Sequence, residues 1–112
     1  MRRRRLTFGL SLAWLATLLP RRALSEATPA EVRMKGNLFV PESVTIQPGT
    51  SVRWINDERR TTHSVLFAQE AGLESERLFP GDSWTRRFDQ PGHYPYTCGP
   101  HPEMKGLIIV QA

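Results

Sequence analysis

The chain has 112 residues, 39% of them hydrophobic, with fifteen Lys and Arg against eleven Asp and Glu. Six of the basic residues and none of the acids fall in the first 25 positions, so residues 26–112 carry nine basic and eleven acidic side chains, a net charge of −2. The basic excess is therefore confined to the N-terminus and is no nucleic-acid footprint, while a single Cys excludes an intramolecular disulfide, a multi-thiolate zinc site and haem attachment through Cys-x-x-Cys-His.

Arg2 to Arg5 form a basic start, Leu6 to Leu19 are mostly apolar yet short for a membrane span, and Ala23-Leu24-Ser25 end in small residues. Residues 1–25 are read as a cleavable export signal, cut after Ser25 or, as second choice, after Ala27. Because Arg21-Arg22 interrupt the usual small-residue stretch, an uncleaved anchor is the alternative. The opening arginines leave the general and twin-arginine routes both open. A flexible lead-in over 26–31 and one small domain over 32–112 follow, with room for a modest core.

Within that domain, short strands alternate with turn residues, the pattern of an all-β sandwich. Val32 to Val40 is predicted to be extended, with a bulge or bend at Gly36-Asn37. Ser43 to Ile46 leads into the turn Gln47-Pro48-Gly49-Thr50, and Ser51 to Asn56 alternates with Val52 and Trp54 on one face. Asp57-Glu58-Arg59-Arg60 reads as a charged, solvated loop tip. Thr62 to Phe67 is predicted to be a strand, and Ala68 to Leu78 a loop or short helix. Pro80-Gly81-Asp82 turns into Ser83 to Asp89, and Trp54, Trp84 and Phe88 are expected in the core. Gln90-Pro91-Gly92 precedes a strand over Gly92 to Cys98. Side chains alternate along it, so Tyr94, Tyr96 and Cys98 share one face and His93, Pro95 and Thr97 the other.

At the end of that strand lies the densest chemistry in the chain, Cys98-Gly99-Pro100-His101-Pro102-Glu103-Met104. A thiolate, an imidazole and a thioether follow one another at three-residue intervals on a proline-stiffened loop. With one further imidazole they make the His2Cys trigonal set with a weak axial Met of a mononuclear blue-copper centre. His63 is the candidate for that imidazole, because His93 is expected to face outward. Singly, Cys98, His101 and Met104 could each be structural; their joint occurrence on one loop argues for a metal. Thirty-five residues separate His63 from Cys98, so the fold must bring them together. With three His in all, the additional copper centres of oxidases and nitrite reductases cannot be built. No enzyme activity is expected.

The run from Gly92 to Gly106 resembles the copper loop of the cupredoxins, and the two-residue gap between His101 and Met104, with prolines on both sides of His101, is most similar to the amicyanin group. The likeness extends upstream through Phe39-Val40-Pro41, Pro48-Gly49, Val52 to Asn56 and His63. It implies a Greek-key β-sandwich, one copper ion held by His63, Cys98, His101 and Met104, and electron transfer in the periplasm. His63 would then be shielded and His101 would present its ring edge at the surface. The resemblance also implies protein redox partners and a monomer, with membrane contact only through the export signal. Two departures stand out. Ser64 replaces the Asn that in many cupredoxins ties the two ligand loops together, and Glu103 puts a carboxylate into the copper loop. The alternatives are a copper carrier or storage protein using the same donors, and a redox domain tethered to a larger complex.

Overall fold

The structure is a computed structural model and describes residues 28–112. The expected export signal and the start of the lead-in lie outside the described residues. Nine strands are described: β1 (Ala30–Lys35), β2 (Leu38–Val40), β3 (Ser43–Ile46), β4 (Thr50–Asn56), β5 (Leu66–Phe67), β6 (Leu73–Glu74), β7 (Ser83–Phe88), β8 (Gly92–Thr97) and β9 (Lys105–Val110). They form two mixed sheets, of order β2-β1-β4-β7 and β3-β9-β8-β5-β6. The pairs β1–β4 and β3–β9 are parallel and the other pairs antiparallel. The chain crosses from one sheet to the other between β2 and β3, β3 and β4, β4 and β5, β6 and β7, and β7 and β8. The expected Greek-key sandwich is the fold, and no helix occurs among the described residues.

Alternation along the strands builds the core between the sheets. Val32, Met34, Val52 and Trp54 from one sheet meet Phe67, Tyr96, Ile108 and Val110 from the other, with Phe88 and Leu78 also buried. Trp54 is the hub, its ring lying 5.3 to 6.4 Å from those of Tyr96, Trp84, Phe67 and Phe88. Trp54 and Phe88 are buried as expected, whereas Trp84 is half-buried on edge strand β7.

Four local expectations differ from the structure. β1 begins at Ala30, inside the predicted lead-in. Gly36-Asn37 is neither bulge nor bend but the two-residue turn of the β1–β2 hairpin, with φ of 61° and 58°. Positive φ at both central residues matches the twist of the flanking strands. The strand predicted from Thr62 to Phe67 is regular only over Leu66–Phe67, and His63 makes an isolated bridge with Leu78. Of the loop or short helix expected between Ala68 and Leu78, the chain forms the loop, as a tight hairpin that also carries the unpredicted short strand β6. The Glu70 and Leu73 amides donate to the Phe67 and Glu70 carbonyls, and Ala71 and Gly72 take left-handed φ. Helix propensity yields here to pairing of β6 with β5.

Candidate metal centre

Two chain segments from distant parts of the sequence meet at one end of the sandwich. The first follows β4. Asn56 is buried and uses its whole side-chain amide: Nδ2 donates to the Thr61 and Leu78 carbonyls at 2.9 and 2.8 Å, and Oδ1 accepts from the Glu58 amide. That clamp folds residues 57–61 back so that His63 pairs with Leu78 through two backbone hydrogen bonds. The second segment leaves β8 at Cys98. The Cys98 amide donates to the Met104 carbonyl and the Met104 amide to the His101 carbonyl, closing the prolyl loop into a compact turn before β9.

These two scaffolds bring His63, Cys98 and His101 together, one ligand atom from each lying within 4.8 Å of the others. Cys98 Sγ is 3.5 Å from His63 Nδ1 and 3.6 Å from His101 Nδ1. Bonds of about 2.1 Å to imidazole nitrogen and about 2.3 Å to thiolate sulfur, spread about 120° apart around one ion, would put nitrogen and sulfur roughly 3.8 Å apart. The observed spacings suit one first-row ion, and a lone thiolate between two imidazoles is the donor chemistry of copper. His63 and Cys98 are fully buried, Met104 is 1% exposed on the same loop, and His101 is half-buried. His93 is exposed on the outward face of β8, as the alternation requires.

The groups around the donors were less legible. Glu58, expected in a solvated loop tip, turns inward with its side chain only 13% exposed. Its Oε2 lies 2.9 Å from His63 Nε2 and also accepts from the Asn37 amide at 2.9 Å. Burial works against the charged carboxylate, but the Asn37 amide and the His63 ring outweigh it and hold Glu58 below the usual glutamate range. With Nε2 facing a carboxylate, the ring proton sits there and Nδ1 is left as the donor atom. Ser64 is buried beside His63. Its amide points at Cys98 Sγ at 3.4 Å, and its Oγ accepts from the Gly99 amide at 3.0 Å. The shorter side chain thus ties the two loops after all. For Ser64 the resemblance had marked the loop-tying position, whereas the only signal for Glu58 was its nearness in sequence to His63.

The family model of the cupredoxin-like domain matches residues 8–110. The chain belongs to the cupredoxin family. This cupredoxin is 34% identical over 89 residues to amicyanin-alpha of Methylorubrum extorquens, a match covering 76% of the chain and 74% of the relative. It is 37% identical over 86 residues to plastocyanin of Scenedesmus fuscus, covering 66% of the chain and 87% of the relative. Among solved structures, the Cu(I) form of an amicyanin mutant superposes with a TM-score of 0.71 at 27% identity, covering 82% of this chain and 91% of that one.

Proposed function

We propose that this cupredoxin is a type 1 copper protein that carries single electrons between protein redox partners. Bound copper would supply the one-electron Cu(II)/Cu(I) couple. His63, Cys98 and His101 would hold it in the trigonal plane, with Met104 as axial ligand. The observation that carries this reading is the Cys98 sulfur, fully buried and 3.5 and 3.6 Å from two imidazole nitrogens on separate scaffolds. Such a site, braced by Asn56, Glu58 and Ser64, changes little in shape when the charge of its ion changes. That favours electron transfer over metal delivery, which needs donors that open.

His101 is the half-buried donor, so its ring edge is the natural port for electrons. Exposed Pro100, Pro102 and Glu103 surround that port in sequence, and a partner docking there meets a carboxylate among prolines. The N-terminal segment supports export, with residues 26–112 acting as a monomer in the periplasm. The test is an optical and EPR spectrum of the Cu(II) protein. Intense visible thiolate charge transfer with a narrow hyperfine splitting is the expected result, and a pale protein with ordinary tetragonal EPR would overturn the proposal. A carrier would further be distinguished by rapid loss of copper to a chelator and by irreversible voltammetry.

A further inference from the structure

Ser64 is the only side chain that joins the His63 segment to the backbone of the Cys98 loop among the described hydrogen bonds, and it does not act alone. A serine hydroxyl has one proton and two lone pairs and rotates freely unless a partner fixes it. Here the Glu74 carboxylate fixes it. Ser64 Oγ donates to Glu74 Oε2 at 2.6 Å, within the range of short charge-assisted bonds. With the proton committed to Glu74, a lone pair of Oγ is left facing the Gly99 amide at 3.0 Å.

A second observation shows that the space is shaped for this arrangement. A Cβ at Gly99 would collide with the Glu74 carboxylate and stand 2.7 Å from Ser64 Oγ. Gly99 has no positive φ that would demand glycine. Its missing side chain makes room for Glu74. The carboxylate reaches this place because β6 (Leu73–Glu74) pairs with β5, Glu74 lying opposite Leu66. Glu74 touches none of the proposed copper donors in the described hydrogen bonds.

We propose that Glu74 is a positioning residue for the copper loop: through the Ser64 hydroxyl it holds the Gly99 amide, and so the turn that carries Cys98, and its negative charge biases the site toward the oxidised ion. The second half of this proposal rests on the copper reading above; the first half does not. A carboxylate two hydrogen bonds from the Gly99 amide raises the electron density on Ser64 Oγ and strengthens the tie. Although Glu74 is exposed, its negative charge lies two hydrogen bonds from the turn that carries Cys98, which favours Cu(II) over Cu(I).

The experiment compares wild type, Glu74→Ala, Glu74→Gln, Ser64→Ala and the Ser64→Ala/Glu74→Ala double variant. Amide exchange of Gly99 is followed by NMR in the metal-free protein, and the reduction potential by voltammetry of the copper protein. Glu74→Ala should speed Gly99 exchange about tenfold, the loss of one charge-assisted hydrogen bond, and raise the potential. Glu74→Gln keeps an acceptor for Ser64 and should restore slow exchange while sharing the raised potential. In the Ser64→Ala background, removing Glu74 should have no further effect on exchange. Unchanged Gly99 exchange in Glu74→Ala, or a full Glu74 effect in the absence of the Ser64 hydroxyl, would overturn the positioning role. An unchanged potential in Glu74→Gln would overturn the charge effect. Absence of a thiolate charge-transfer band in wild type would instead overturn the copper reading, which the metal-free exchange data do not depend on.

Discussion

Single side chains divide the metal centre into donors and the groups that aim them. Cys98 is the one cysteine in the chain, and on the proposed copper reading its charge-transfer colour would be the signature of the site. Cys98→Ser should abolish the visible charge-transfer band while circular dichroism keeps its β signal, because the core packing stays in place. A Cys98→Ser protein that stays blue would sink the ligand assignment. Glu58 aims His63 from the far side of the ring. Partners of this kind typically contribute about 10–100-fold in metal affinity. Glu58→Ala should therefore weaken copper binding by about that factor in a competition titration; unchanged affinity would mean that the 2.9 Å contact leaves the ring no better placed. His93→Ala is the control. With that ring on the outer face of β8, its optical spectrum should match wild type.

Among the elements, the β5–β6 hairpin is the smallest and has the most to hold. It carries Glu74 toward Ser64 and leaves Glu70 at its turn facing β7. Arg86 on β7 answers with a two-pronged ion pair to Glu70, at 2.7 and 2.9 Å. Its guanidinium lies 4.4 Å from the ring centres of both Phe67 and Phe88, and 5.4 Å from that of Tyr94. Arg86 thus ties edge strand β7 of one sheet to the β5–β6 hairpin at the edge of the other. Arg86→Ala should cost about 1–3 kcal/mol in denaturant unfolding, from the charged hydrogen bonds and the ring contacts together. Arg86→Lys should recover little of it, since an ammonium lacks the planar fork. Full recovery by lysine would show that charge alone matters there.

Over the whole molecule, Tyr96 is where the sheets meet. Its ring lies 4.7 Å from that of Phe39, 5.3 Å from Trp54 and 5.4 Å from Phe67, and it covers Gly106, where any side chain would collide with it. Burial pushes its hydroxyl well above the usual tyrosine range. The folded state therefore holds this proton more tightly than the unfolded chain does. Stability from Tyr96 is complete below the unfolded value of about 10 and is lost as pH rises from there toward the higher folded value. Unfolding midpoints should fall above about pH 10, and Tyr96→Phe should flatten that part of the curve. An identical alkaline slope in both proteins would assign the loss to other groups.

The proposed donors on the loop were legible as candidates because their signal is local: Cys98, His101 and Met104 sit at short intervals at the end of a strand whose alternation sets which way each side chain faces. The same period put His93 outside, and turn residues divided the chain into strands of a sandwich. The local errors have one cause, since Gly36-Asn37 and Ala68 to Leu78 each allow several backbone paths, and pairing with a neighbour selects one. Glu58 and Glu74 were out of reach for a related reason. In the sequence, a carboxylate in a polar segment reads the same whether it faces water or a buried imidazole or hydroxyl. Only the Asn56 clamp and the β5–β6 pairing decide that. The amino-acid sequence by itself determined which atoms can bind a metal; the tertiary structure decided which carboxylates hold those atoms in place, because that depends on contacts between segments whose separation in the chain carries no local signal.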